Sequence, residues 1–437
     1  MRSVRVLLIA ILFLPGVRIA VAVERFPPPE FKTHELPPTE APPPEATWQE
    51  YMDVAVLVAA LAVSSYLALR ARSRRGILLL TVLSLAYFGF WRKGCVCPIG
   101  SIQNVSLALF EQAYAVPLTV AAFFLLPLVF TLFFGRTFCG GVCPLGAIQD
   151  LVLVRPVGVP RWLEHGLRLG AYVYLGLAVL FAATASAFVI CEYDPFVAFF
   201  RLSGSSGMLL LGAGLLVLGM FVGRPYCRFL CPYGVLLGLV SRVSRWSVTI
   251  TPDSCVRCKL CEDECPFGAI EVPTSSEVVR PEGPGRKSVL VLIMLLPLLV
   301  VLGGLLGAGV AGPLSMMHAT VRLAERVRLE EEGKVEGTTD VSAAFRATGL
   351  PSRELYADAL IIKDRYRFAS PILGAYVGLA IAIKLLQAVL QERRKDYEVR
   401  RSTCLSCGRC FFYCPQEHAR LKQIGITMLP DDVSRQL

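Results

Sequence analysis

Charge is what this chain has least of. Only 18% of its 437 residues are Asp, Glu, Lys or Arg, against roughly a quarter in an ordinary soluble domain. With 54% hydrophobic residues and a mean hydropathy of +0.57, the shortage argues for a membrane protein built on apolar runs of about 20 residues. Histidine is scarcer still, with His34, His165, His318 and His418 making up the full set of four. No Cys-x-x-Cys-His occurs, which argues strongly against covalently attached c-type haem, and none of the four lies mid-span, which argues against a transmembrane haem pair. His318, beside Met316 and Met317, reads as a plain interfacial residue. Acidic residues number 34 against 44 basic ones, for a net charge of +10. The basic excess lies next to apolar runs, as topology signals do, so no nucleic acid is expected as a partner.

What is present falls into segments. Residues 1–22 read as a secretory signal peptide, with Arg2 and Arg5, an apolar stretch from Val6 to Leu14, and Ala20-Val21-Ala22 as cleavage site. Residues 23–50 read as a Pro-rich periplasmic linker without a core of its own. Seven spans follow, at about 54–69, 77–91, 115–134, 169–190, 207–223, 288–312 and 369–390. Arg70, Arg72, Arg74 and Arg75, then Arg155, Arg161 and Arg168, then Arg242, Arg245, Arg286 and Lys287, then Arg393, Arg394, Lys395, Arg400 and Arg401 all fall on one side if the N-terminus is outside. Trp91-Arg92-Lys93, at the outer end of the second span, breaks that rule. The domain reading is a membrane domain over 51–245, a first ferredoxin half over 246–275, a transmembrane helix over 286–312, a periplasmic segment over 313–368, a transmembrane helix over 369–391, and a second ferredoxin half over 392–437. The periplasmic segment, with a charged helix from Val321 to Glu332, is too small for a large core and reads as a cap or docking surface. Gly303, Gly307, Gly374 and Gly378 suit close packing of the last two spans. Lys384 lies near the inner end of its span, where it can snorkel to the headgroups.

Fifteen cysteines remain to be explained. Residues 255–266 read Cys255-x-x-Cys258-x-x-Cys261-x-x-x-Cys265-Pro266, and residues 404–415 repeat it as Cys404-x-x-Cys407-x-x-Cys410-x-x-x-Cys414-Pro415. The doubled motif resembles the bacterial two-cluster ferredoxin, in which the cysteine before proline ligates the other cluster. The resemblance implies two [4Fe-4S] clusters, one on Cys255, Cys258, Cys261 and Cys414, the other on Cys404, Cys407, Cys410 and Cys265. Zinc gives no reason for a doubled Cys-Pro ending. The expected fold is an α-helical membrane protein of about seven spans carrying a small α+β ferredoxin domain.

Three further segments repeat one another: Cys95-Val-Cys97-Pro98, Cys139-Gly-Gly-Val-Cys143-Pro144 and Cys227-Arg-Phe-Leu-Cys231-Pro232. Proline is favoured in the first helical turn, so each Cys-Pro reads as a helix start, where free N–H groups stabilise a thiolate or an anionic cluster. Cys139, Cys143, Cys227 and Cys231 follow inward-running spans and supply four thiolates for a membrane-face Fe-S centre. Cys95, Cys97 and Cys191 lie near the outer face and are expected to bind a metal, completed by a non-cysteine ligand such as Glu192 or Asp194 or by a partner protein; the alternative is an outer disulfide plus a free thiol.

These residues resemble the NosR/NapH-type membrane polyferredoxin family, through the paired Cys-x-x-x-Cys-Pro motifs, Cys191-x-x-x-Pro195-Phe196 and the ferredoxin motifs behind them. The chain departs from NosR in having no N-terminal flavin-binding domain, in parting its ferredoxin motifs by a membrane hairpin, and in adding Cys95-x-Cys97. The resemblance implies electron transfer between cytoplasmic or quinone-pool donors and a membrane or periplasmic redox partner. The positive-inside pattern puts the chain in the bacterial cytoplasmic (inner) membrane with the ferredoxin domain inside, and it is expected to be the electron-transfer subunit of a larger complex. No catalytic residues are expected. The alternative is a maturation factor for a metalloenzyme, similar to the CcoG type.

Overall fold

Apolar helices make up most of the computed structural model, which describes residues 47–94, 97–111, 114–201, 205–250, 255–273, 286–389 and 396–423. The signal-peptide expectation for 1–22, most of the linker and Cys95 lie outside the described residues. The linker does not extend to residue 50: α1 (Thr47–Leu69) already includes its last four residues. Next comes α2 (Arg74–Ser84), capped by the Ser73 side chain and continued by a π-helical stretch, Leu85–Trp91. Then come α3 (Pro98–Phe110), α4 (Leu118–Phe134), α5 (Thr137–Gly141), α6 (Pro144–Leu151) and α7 (Arg161–Ala183). The membrane part ends with α8 (Val189–Tyr193), α9 (Pro195–Arg201), α10 (Ser206–Gly219), α11 (Pro225–Phe229) and α12 (Pro232–Val240).

The first cysteine loop holds α13 (Leu260–Asp263) and β1 (Ile270–Glu271). A hairpin of α14 (Arg286–Gly309) and α18 (Ser352–Val389) follows, with α15 (Ala311–Ser315), α16 (Ala319–Glu331) and α17 (Asp340–Ala347) between its arms. The second loop carries β2 (Glu398–Val399), α19 (Arg409–Phe412) and α20 (Pro415–Gln423).

Each of the seven expected spans falls on a helix, with altered ends. Among the described residues four helices are long and apolar enough to cross a membrane: Trp48–Leu69, Arg74–Trp91, Trp162–Ala183 and Ser352–Gln387. A fifth is reached if α9 and α10 form one broken span, while Leu118–Phe134 and Ile293–Gly309 are apolar but shorter. The boundary expected between an outer segment ending at 368 and a span starting at 369 falls inside a single helix, α18, of 38 residues. Its first half carries the helix formers Leu, Ala and Arg and packs Leu355 and Ala359 against Val321, Ala324 and Val327 of α16. In the same way α7 starts at Arg161 and stops at Ala183, where Thr184 Oγ1 bonds back to Leu180 O at 2.9 Å and Ala185 turns left-handed with φ +53°.

Two local contacts explain sequence features that stood out. A Cβ at Gly303, Gly307, Gly374 or Gly378 would run into the facing helix backbone, so α14 and α18 touch backbone to backbone there. Arg92, the cation on the wrong side, lies 2.9 Å from Asp53, which is 2% exposed and also accepts from the Tyr87 hydroxyl at 2.8 Å. Its charge is neutralised inside the protein rather than left free to set topology.

Candidate metal centres

Both soluble cysteine motifs wrap their backbone in the same way. Arg257 and Ser406, each preceding the second cysteine of its motif, have φ of +53°; Lys259 and Gly408, each following it, have φ of +66° and +80°. Left-handed residues on both sides of a cysteine turn successive N–H groups toward the inside of the loop, forming an anion-binding nest. One cavity is lined by Cys265, Cys404, Cys407 and Cys410, and another by Cys255, Cys258, Cys261 and Cys414. Each takes three cysteines from one motif and the pre-proline cysteine from the other. Ala269 N donates to Cys265 Sγ and Ser406 N to Cys404 Sγ, both at 3.4 Å. The two loops are joined by antiparallel pairing of Ile270 with Val399 and of Glu271 with Glu398. Among the described residues no three His, Cys, Asp or Glu side chains converge on a point for a single metal ion. The cysteines ring their cavities instead, which suits a cage-shaped cluster better than zinc, whose four ligands close on one atom.

The membrane cysteines are placed by helix starts. Cys143 and Cys231 are the N-cap residues of α6 and α12, each followed by proline at the first helical position. Gly234 N donates to Cys231 Sγ at 3.3 Å, and the Gly146 N–H serves Cys143 likewise. Cys139 and Cys227 lie in α5 and α11, and all four thiols belong to one core. Gln149 Nε2 donates to Cys227 Sγ at 3.4 Å while its Oε1 accepts from Tyr226 N at 3.0 Å. Arg136 and Arg224, each three residues before the first cysteine of a repeat, are 7% and 0% exposed. Arg136 Nη2 reaches Cys139 Sγ at 3.7 Å, and Arg224 Nη1 donates to Cys139 O. Buried fixed cations beside four thiols provide the positive field that an anionic cluster requires. Another cavity, bordered by Cys227 and Cys231, is lined by Arg136, Arg168, Arg228, Arg242 and Arg400. Lys384 lines it too, with Nζ 5.4 Å from the Tyr172 ring.

The ferredoxin loops sit directly on these repeats. A Cβ at Gly140 would lie 2.6 Å from Leu405 O, and one at Gly223 would lie 2.9 Å from Pro266 O. Glycine is what permits both approaches. Arg136 Nη1 donates to Ser402 O at 3.0 Å, Arg74 Nη1 to Cys407 O at 2.8 Å and Arg228 Nη1 to Pro266 O at 2.9 Å. Cys139 packs with Cys265 and Cys404 around Phe267, Leu405 and Cys407, while Cys255, Cys265 and Cys410 pack around Cys261, Ile270 and Tyr397. Three cysteine groups therefore stand in series, from the Cys255 group through the Cys265 group to the membrane four.

A 4Fe-4S binding domain family matches residues 116–162 and 206–251, which hold both membrane repeats, and another 4Fe-4S binding domain family matches 248–271. YccM of Escherichia coli, which is named as an electron transport protein, is 31% identical over 118 residues, 25% of this chain and 33% of its own. Protein NirI of Paracoccus denitrificans is 31% identical over 123 residues, 27% of this chain and 18% of its own. The regulatory protein NosR of Pseudomonas aeruginosa is 30% identical over 110 residues, 24% of this chain and 15% of its own. Over these segments the chain is similar to the NosR/NapH-type membrane polyferredoxins. The match spans a third or less of each of these relatives. No solved structure matches the polyferredoxin.

In the remaining repeat of this polyferredoxin, Cys97 caps α3 with Pro98 at its first position. A Cβ on Gly100 would lie 3.4 Å from Cys191 Sγ, so Cys97 and Cys191 are brought to the same place. Of the two carboxylates considered beside them, Glu192 is exposed and Asp194 is buried, its Oδ1 accepting from Phe196 N at 2.9 Å. Cysteine spacing alone misses Arg136, Arg224, Gln149 and Asp150. The signal was present, as Arg-x-x-Cys-x-x-x-Cys-Pro-x-Gly in two repeats and as Gln six residues after the pre-proline cysteine at 103 and 149.

Proposed function

We propose that this membrane iron–sulfur protein is a transmembrane electron conduit. Cys255, Cys258, Cys261 and Cys414 would hold one [4Fe-4S] cluster, Cys404, Cys407, Cys410 and Cys265 a second, and Cys139, Cys143, Cys227 and Cys231 a third at the membrane face. Bound clusters supply one-electron transfer at iron. The protein's own groups set the conditions: Ala269, Ser406 and Gly234 direct N–H groups at sulfur, Gln149 adds a side-chain donor, and Arg136 and Arg224 fix positive charge in a dry core. The observation that carries the reading is the packing of Cys139 into the same core as Cys265, Cys404 and Cys407, which puts the membrane four next in line to the ferredoxin pair.

The ferredoxin domain faces the cytoplasm of a bacterial inner membrane in this reading, since Arg72 and Arg74, the basic residues after the first span, contact its loops through Thr249 O and Cys407 O. Electrons pass between cytoplasmic or quinone-pool donors and a membrane or outer redox partner, with the chain acting as a subunit of a larger complex. Cys97 and Cys191 would serve as an outer relay in this reading.

The test is iron and sulfide quantitation with EPR on anaerobically purified protein, wild type beside Cys139→Ser/Cys143→Ser. More than about eight irons per chain, with one signal lost in the double variant and the ferredoxin signals kept, is the expected result. About eight irons, unchanged by the double substitution, would leave the membrane cysteines structural and end the conduit reading.

A further inference from the structure

The surroundings of Cys97 and Cys191 parallel those of three of the membrane-face four, Cys143, Cys227 and Cys231, although Cys191 is exposed where Cys227 is half-buried. Cys97 stands where Cys143 stands, as the cap before a proline, with the N–H of the glycine three residues on directed at its sulfur. Cys191 stands where Cys227 stands. Gln149 anchors its Oε1 on the N–H of Tyr226, the residue before Cys227; Gln103 anchors its Oε1 on the N–H of Ile190, the residue before Cys191, also at 3.0 Å. The position before the next proline, cysteine at 231, is Asp194 here, in Cys191-Glu-Tyr-Asp194-Pro195. Asp194 is 3% exposed, its Oδ1 accepts from Phe196 N at 2.9 Å, and its charge acts on the Cys97 thiol.

One difference points to something bound. Gln149 Nε2 donates to Leu145 O at 2.7 Å and to Cys227 Sγ at 3.4 Å, but the corresponding Nε2 of Gln103, a residue 0% exposed, has no hydrogen-bond partner among the described residues. A buried amide donor left unsatisfied is destabilising, and the Oε1 of the same amide is anchored on the N–H next to Cys191. A bound thiolate or sulfide there is the acceptor it lacks.

We propose that Cys97, Cys191 and Asp194 ligate an additional iron–sulfur centre, with Asp194 in the role that Cys231 fills in the inner set and Gln103 donating a hydrogen bond to its sulfur. This rests on the reading of the membrane cysteines as cluster ligands. Tyr226 connects the two centres: it precedes Cys227, stands beside Asp194 and Cys97, and meets the Phe196 ring edge-on at 5.5 Å. Carboxylate is a harder and less electron-donating ligand than thiolate, so this centre is suited to the higher-potential end of the series.

The experiment uses the full chain, purified anaerobically, with iron content, EPR and redox titration for Asp194→Asn, Asp194→Cys and Gln103→Leu beside Cys139→Ser/Cys143→Ser. Asp194→Asn is expected to lose one centre's iron and signal while the other signals persist. Asp194→Cys should restore that iron with a changed signal and a lower potential. Gln103→Leu should keep the iron and lower the potential of the same centre only. Wild-type iron and spectra in Asp194→Asn would overturn the proposal, leaving Asp194 a backbone cap. Loss in Asp194→Asn without restoration in Asp194→Cys, the other signals being intact, would also overturn it as a ligand assignment. An unaltered Cys139→Ser/Cys143→Ser spectrum would instead overturn the underlying reading, so the two failures are distinct.

Discussion

Asp150 Oδ2 lies 3.5 Å from Arg224 Nη2, with the two side chains 1% and 0% exposed. Arg74 at 3.0 Å and Arg409 at 3.8 Å complete a cluster in which one carboxylate faces three guanidinium groups. The cluster ties α2, α6 and α11 of the membrane part to α19 of the second ferredoxin loop. Its excess of positive charge lies beside four thiols.

Removing the carboxylate should therefore be costly. Asp150→Asn is expected to destabilise the protein by about 3–5 kcal/mol, the range for breaking a buried ion pair from one side. Thermal unfolding in detergent, followed with a thiol-reactive dye, gives the measurement. A change below about 1 kcal/mol, the scale of an exposed pair, would show that the charges are balanced elsewhere.

The same carboxylate gives a pH signature. Burial opposes its ionisation, but Arg224, Arg74 and Arg409 outweigh burial and hold its pKa at about 2, below the ordinary value of 3.8. A depressed folded-state pKa stabilises fully above the ordinary value and is lost as pH falls through the folded one. Stability should drop between about pH 4 and pH 2 in the wild type, and this component should be absent in Asp150→Asn.

Gln149 should tune rather than hold its centre. Gln149→Leu is expected to keep the iron but lower the midpoint potential of the membrane-face centre by about 40 mV. That is a hydrogen bond of about 1 kcal/mol expressed for one electron. EPR-monitored redox titration reads the shift, and an unchanged potential would limit Gln149 to holding the Tyr226 backbone.

The crossed ligand sets make a pairing prediction. Cys265→Ser and Cys410→Ser should abolish the same EPR signal, and Cys258→Ser and Cys414→Ser the other. If Cys265→Ser instead removes the signal lost in Cys258→Ser, each motif holds its own cluster and the crossed assignment fails.

Backbone contact in the hairpin predicts intolerance of a single methyl group. Gly374→Ala would push its Cβ into the Gly303 carbonyl, and separation of the helices should cost about 1–3 kcal/mol, as overpacking does. Gly309→Ala, whose Cβ meets nothing within 4 Å, is the control. Equal melting temperatures for the two variants would refute the close packing.

Much of the candidate site was legible from spacing. A run of Cys-x-x-Cys-x-x-Cys confines three thiols to one loop, and a Cys-Pro step places a thiol at a helix start, because both effects act within a few residues. The membrane cysteines, the hairpin glycines and the charged helix α16 were readable for the same reason. The end of the outer segment was not: nothing between Ser352 and Ser370 breaks a helix, so α18 continues where hydropathy alone suggested a boundary.

The sequence by itself determined the cysteine groups, the helix starts and the apolar spans, since these follow from local geometry and composition. Only the tertiary structure decided that Asp194 rather than Glu192 is buried beside Cys97, that Arg136 and Arg224 turn inward, and that the ferredoxin loops rest on Gly140 and Gly223. Burial and charge pairing depend on residues far apart in the chain, and no local pattern specifies which of two neighbouring carboxylates, or which of many arginines, will lose its water.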